Sequence, residues 1–222
     1  DPDQPTFAPG EPGQWSYANV GFNMLGLIIE QVTGQPWTEA VRERVLEPLG
    51  MDDTVLVEGV APAELGLPSG YLAPPFEIDA KGWDYSQGGA AGNGVSTAQD
   101  MATLVEADFS GQLFGDPATL EAVLEPAAPG HPGFLEDFQY LHGAFEKSGF
   151  LGHGGAVPGF SSDAGYDPGS DTTIVTWANV YSRDYQVPAG EGVLNVGHAL
   201  GLTPSFGEVL MALFAAMSEP AE

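Results

Sequence analysis

Two short clusters in this chain hold side chains suited to acyl-transfer chemistry. The first is Tyr17-Ala18-Asn19. A tyrosine hydroxyl acts as a general acid or base once a nearby cation lowers its pKa. An asparagine amide can hold a substrate carbonyl and a neighbouring ammonium together. The second is His153-Gly154-Gly155-Ala156. Two glycines on a strand edge let a substrate backbone come close, and a backbone N–H just beyond them can donate to an oxyanion. Taken singly, each cluster has a plainer alternative. One is a core tyrosine with a helix-capping asparagine, the other a turn histidine beside permissive glycines.

The elements around these clusters are readable from apolar spacing. Residues 1–14 are rich in proline, glycine and acid and lead as a loop into Trp15-Ser16-Tyr17. A helix is predicted over about residues 20–33. Val20, Met24, Leu27, Ile28 and Gln31 share one mostly apolar face, and Gly34 is a terminator. A second helix is predicted with Thr38 as N-cap and a buried stripe of Val41, Val45, Leu46 and Leu49, stopped by Pro48 and Gly50. Residues 52–94 read as loops and short strands. Thr97 with Asp100 resembles a capping box opening a helix to about Phe109, and Asp116 caps another to about Leu124.

The pattern then changes to strands, at residues 138–145, 149–153, 161–166 and 172–180. Asp167-Pro168-Gly169-Ser170 is a turn that makes the last two an antiparallel hairpin. Residues 191–200 and 206–217 read as helices. Helices first and strands later imply an α+β chain with an antiparallel sheet.

Composition bounds the partners. Five basic residues face 31 acidic ones, a formal charge of -26. Such a chain repels nucleic-acid phosphates and anionic membranes, and its acidity suits a high-salt habitat, where self-repulsion is screened. No cysteine is present, which removes disulfides, zinc–thiolate sites and a cysteine nucleophile. The four histidines, at 131, 142, 153 and 198, lack metal-ligand spacing. Neither a metal nor a cofactor is expected. The late apolar run from Val209 to Met217 falls far short of the roughly 20 residues of a spanning helix.

Residues 12–54, PGQWSYANVGFNMLGLIIEQVTGQPWTEAVRERVLEPLGMDDT, resemble the serine β-lactamase and penicillin-binding-protein superfamily. The resemblance is to its class C-like, D-alanyl-D-alanine carboxypeptidase and esterase branch. Tyr17 and Asn19 match that branch's Tyr-x-Asn motif, with Gly21-Phe22 and Leu25 to Glu30 following in order. GNGVSTAQDMATL, residues 92–104, is similar to its Gly-x-x-Ser-Thr-x-x-Asp segment. GHGGAVPGFSSDAGYDP, residues 152–168, is similar to its third motif, with His-x-Gly in place of Lys-Thr-Gly.

The resemblance implies a β-lactamase/transpeptidase-like fold: a helical lobe plus an antiparallel sheet flanked by helices, with the N-terminal part absent. Residues 1–204 would form this partial domain, and residues 205–222 a helix and tail outside the match. Tyr17 would move protons to and from the nucleophile and leaving group, and Asn19 would hold the substrate amide. His153 would take the electrostatic place of a lysine near a substrate carboxylate. Gly154 and Gly155 would line the substrate strand, and the Ala156 N–H would be half of an oxyanion hole. Family members are commonly exported.

The family nucleophile is the serine of Ser-x-x-Lys, activated by the lysine. The chain has two lysines, and the residues three positions before them are Ile78 and Ala144, so the motif does not occur. No Gly-x-Ser-x-Gly is present either, and Ser96 is expected to be structural. The sequence therefore implies part of a serine hydrolase for amide, D-amino-acid peptide, β-lactam or ester substrates, inactive alone. Its expected partners are a small-molecule or peptide substrate and the missing N-terminal segment. The alternative is a non-catalytic module that binds D-peptides. His153 in the third motif mildly favours carboxypeptidase, D-aminopeptidase or esterase chemistry over lactam resistance.

Overall fold

A computed structural model describes residues 7–8, 11–72, 82–127 and 138–181. The two helices expected at 191–200 and 206–217, and the boundary at 204, lie outside the described residues.

Helix α1 (Asn19–Thr33) ends as its sequence requires. Gly34 takes φ 72°, and its N–H donates to the Glu30 carbonyl at 2.8 Å. Its orientation is less obvious. The stripe of Val20, Met24, Leu27 and Ile28 faces solvent, each 54% to 65% exposed. The smaller, more polar side packs instead. Gly26 is buried against Trp37 and Ala90, Asn23 Oδ1 accepts from the Ala91 N–H at 3.1 Å, and Glu30 accepts from the Trp37 N–H at 3.3 Å. The glycine leaves room for the Ala90 methyl and the Trp37 ring, which the bulky stripe could not do.

An exposed apolar stripe of this kind drives association. The 222-residue chain is expected to self-associate as its concentration rises, and Leu27→Gln with Ile28→Gln is expected to suppress this. Sedimentation velocity across a concentration series checks it; a monomer at every concentration would count against the expectation.

Helix α2 (Trp37–Val41) begins two residues earlier than Thr38 as N-cap would place it. Pro36 is the cap: its extended backbone suits the position, and its carbonyl accepts from the Ala40 N–H at 3.0 Å. The helix widens over Arg42–Leu46 and continues as α3 (Glu47–Leu49), where Gly50 at φ 66° ends it. Arg42 spans this surface, pairing with Glu39 at 2.6 Å and with Glu47. Leu46 is buried, while Val41, Val45 and Leu49 are half-buried.

Residues 52–94 supply β1 (Val55–Leu56), β2 (Tyr71–Leu72) and β3 (Gly94–Val95), with β1 and β3 antiparallel. Helix α4 (Ala98–Phe109) is capped by Thr97, whose hydroxyl accepts from the Asp100 N–H at 3.2 Å. The Asp100 carboxylate does not close a capping box. It is buried and accepts from the Asp53 N–H at 3.2 Å and the Thr54 hydroxyl at 2.7 Å, tying α4 to the exit of α3. Ser96 Oγ lies 2.7 Å from Thr54 Oγ1 in the same network. Asp116 caps α5 (Pro117–Val123) by accepting from the Ala118 N–H at 3.0 Å.

The main sheet holds β4 (Phe138–Tyr140), β5 (Phe145–Lys147), β6 (Phe150–Val157), β7 (Phe160–Asp167) and β8 (Thr172–Ala178), antiparallel in that order. The single strand expected over 138–145 is two. Gly143 at φ 101° turns the chain, and the Leu141 N–H bonds the Ala144 carbonyl at 2.7 Å. The strand expected to end at His153 runs on to Val157, because β7 pairs with it as far as Val157↔Phe160. Asp167 closes the β7–β8 turn by accepting from the Gly169 N–H at 2.8 Å. A final strand, β9 (Val180–Tyr181), lies parallel to β2.

One face of the sheet packs on α4. Val105 and Phe109 meet Leu141, Ala144, Leu151, Ala164 and Tyr166 in one buried cluster. Each large side chain buried there stabilises by roughly 1.5–3 kcal/mol, which anchors β6 and β7 firmly. Among the described residues no helix is long and apolar enough to cross a membrane.

Candidate active site

Strand β6 is paired with β7 from Leu151 to Val157, but its pairing with β5 stops at Phe145↔Gly152. From His153 to Val157 it has a strand partner on one side only, among the described residues. Gly155 and Ala156 are exposed on this stretch. This edge, without a strand partner among the described residues, has the geometry to take up an extended segment.

The two sequence clusters meet here. The Tyr17 ring lies 6.0 Å from the His153 ring, centroid to centroid, although 135 residues separate them. Between them stands Tyr140 of β4, which the motif reading did not single out. Its ring is edge-on to Tyr17 at 5.6 Å and to His153 at 5.8 Å, and Trp15 is tilted against it at 4.9 Å. The Tyr140 hydroxyl is 3.0 Å from His153 Nε2, and His153 Nδ1 is 2.5 Å from the Gly154 carbonyl. A carbonyl only accepts, so Nδ1 carries the proton and Nε2 accepts from Tyr140. Gly154 and Gly155 continue β6 beside this cluster, leading to Ala156.

Burial pushes the His153 pKa down, opposed by its bond to the Gly154 carbonyl. The imidazole is thus neutral at pH 7, with both nitrogens engaged. Burial pushes the Tyr17 phenol up, and no cation among the described residues opposes it. Tyr17 is therefore a protonated donor here. Tyr140 is pushed up by burial and by neighbouring Tyr17. Asn19 is exposed in the first turn of α1 and does not cap it; Ala18 holds that position. Its amide makes no hydrogen bond among the described residues, which leaves it free for a ligand.

A second unanticipated residue lies in the strand behind Gly154. Asp163 of β7 pairs with Gly154 on one side and Thr176 of β8 on the other. It is buried, and neither Asp163 Oδ1 nor Thr176 Oγ1 has a hydrogen-bond partner. Burial pushes its carboxyl up to about 7, opposed by Lys147 and the Ala164 N–H. The sequence signal was there: one acid among small and apolar residues in a strand. Among the described residues no group of His, Cys, Asp or Glu is placed to hold a metal ion.

The family model described as Beta-lactamase matches residues 2–194. Over 120 residues the chain is 30% identical to a D-alanyl-D-alanine carboxypeptidase candidate of Escherichia coli O157:H7, covering 45% of this chain and 28% of that protein. A D-stereospecific amidohydrolase from Streptomyces sp. superposes with a TM-score of 0.68 at 26% identity, over 80% of this chain and 53% of that one. The D-amino acid amidase from Ochrobactrum anthropi SV3, in complex with L-phenylalanine amide, gives 0.72 at 25% identity, over 91% and 58%. The chain spans less than two thirds of the length of each.

Proposed function

The chain belongs to the beta-lactamase family, and from that premise we propose that it supplies the proton-transfer and substrate-strand part of a serine hydrolase site. The complete site would form an acyl-enzyme from amide, D-amino-acid peptide, β-lactam or ester substrates and release it to water. The observation that carries this reading is the meeting of Tyr17 and His153 beside the half-paired stretch of β6.

Each residue has a role that its surroundings support. Tyr17 passes protons between nucleophile and leaving group, Asn19 holds the substrate amide, and Gly154 and Gly155 let the substrate lie along β6. The Ala156 N–H is one oxyanion donor. His153 offers polarity without charge, which suits an amide or ester better than a free carboxylate. The amidase and amidohydrolase neighbours act in the same direction.

Tyr17 as it stands is too weak a base. A cation beside it would lower its pKa; in a Ser-x-x-Lys segment the lysine would supply that cation and the serine the nucleophile. No Ser-x-x-Lys occurs in these 222 residues, so we assign that pair to another segment.

The test is intact-mass detection of a covalent adduct with a fluorescent penicillin, alongside turnover of D-phenylalanine amide. The chain alone is expected to give neither, and both are expected once a Ser-x-x-Lys-bearing segment of the family is supplied. Saturable binding of D-peptides with no adduct in either case would favour the non-catalytic binding module.

A further inference from the structure

Tyr140 belongs to neither sequence cluster, yet it touches the central residue of each. Its hydroxyl reaches His153 Nε2 at 3.0 Å, and its ring edge meets Tyr17 at 5.6 Å. It stands at the end of β4, opposite Phe145 of β5, which itself pairs with Gly152 next to His153. Backbone register thus brings Tyr140 and His153 together. Trp15 also lies against the Tyr140 ring, tilted at 4.9 Å.

We propose that Tyr140 is a positioning residue of this cleft: its hydroxyl donates to His153 Nε2, so that the imidazole stays neutral and fixed in orientation beside Tyr17. The Gly154 carbonyl takes the Nδ1 proton, and Tyr140 satisfies the other nitrogen. A neutral imidazole has one donor and one acceptor, and here both are used. The titratable groups against the ring, among the described residues, are the Tyr17 and Tyr140 hydroxyls. The Phe145 ring of β5 also lies 6.0 Å from it, and Ala164 of β7 is the strand partner of His153. Without Tyr140, Nε2 would be a half-buried acceptor with no partner, and protonation would become the way to satisfy it. The bearing of this arrangement on catalysis rests on the acyl-transfer reading; the arrangement itself can be tested without turnover.

The experiment is nitrogen-15 NMR of the histidine rings in the 222-residue chain, followed over pH, with His131, His142 and His198 as internal references. In the parent, His153 is expected to carry its proton on Nδ1, leave Nε2 bare, and titrate below the ordinary histidine value. Tyr140→Phe is expected to raise the His153 midpoint by about half a unit to one unit, the effect of one lost hydrogen bond. Tyr17→Phe keeps the donor and should move it much less. A parent His153 protonated on Nε2, or a midpoint unmoved by Tyr140→Phe, overturns the proposal. The parent measurement decides the matter even if a variant folds poorly. Failure to form an acyl adduct would sink the hydrolase reading while leaving this result unchanged.

Discussion

Gly152→Ala is expected to cost about 3 kcal/mol or more of folding free energy, the upper end for an overpacked core site, whereas Gly154→Ala should cost under about 1 kcal/mol. Both glycines lie on β6, two residues apart, and sequence alone ranks them equally. The structure separates them. A Cβ at position 152 would overlap the Ala164 carbonyl oxygen and lie 2.7 Å from the Gly165 Cα. The obstruction is the backbone of the neighbouring strand, paired Gly152↔Gly165, so no side-chain rotation relieves it. Strands β6 and β7 would have to part at the centre of the sheet, next to the cluster that α4 packs on. At position 154 the nearest atoms are the Ser162 carbonyl oxygen at 3.5 Å and Asp163 Oδ2 at 3.7 Å, ordinary contacts. Urea denaturation of both variants decides it. Equal midpoints would show that β6 and β7 are less closely held than the geometry requires.

That contrast marks how far the sequence could be read. Helix α1, its Gly34 terminator, the Thr97 and Asp116 caps and the Asp167 turn were legible because each depends on residues within one turn of chain. The clusters at Tyr17 and His153 were legible as types, and the resemblance gave their order. What the sequence hid was decided by distant partners. The apolar stripe of α1 reads as a core face, yet Gly26 and Asn23 carry the packing because Ala90 and Ala91, more than sixty residues later, need close approach. The Gly143 turn was hidden inside an apolar run that reads equally well as one strand. Tyr140 joined the site only through that turn and the β4–β5–β6 register, which no local pattern encodes. Asp100 was placed in a capping box by spacing, but Thr54 offered its carboxylate a stronger partner.

The protonation of the site follows from the same geometry. Tyr17 was expected to need a cation, and the structure places an aromatic neighbourhood around it instead. Its phenol stays protonated until a charge arrives. This is why the proposed chemistry depends on a lysine-bearing segment rather than on any rearrangement of the residues already gathered.

Asp163→Asn is expected to stabilise the fold in a strongly pH-dependent way. Burial lifts the Asp163 carboxyl from the ordinary aspartate value of 3.8 to about 7. The folded state therefore holds a proton that the unfolded chain has released, across the window between those values. The favourable contribution is fully present below about pH 4 and is lost as pH rises towards 7, beyond which the folded carboxylate is charged and buried. Asparagine has the same shape and no charge, and its amide can donate to Thr176 Oγ1, which lacks a partner. Between pH 5.5 and pH 8 the advantage of the variant over the parent should grow by about 2 kcal/mol, from 1.36 kcal/mol per unit of pKa difference. Loss of the attraction to Lys147 trims that gain without reversing it, because burial is the largest influence on the carboxyl. The general repulsion within a chain of charge -26 acts on both proteins and cancels in the difference. Urea denaturation at fixed ionic strength measures it directly. A difference between variant and parent that stays constant over this pH range would mean that Asp163 is ionised and paired in the folded protein, and the assignment of a buried neutral carboxyl behind Gly154 would be wrong.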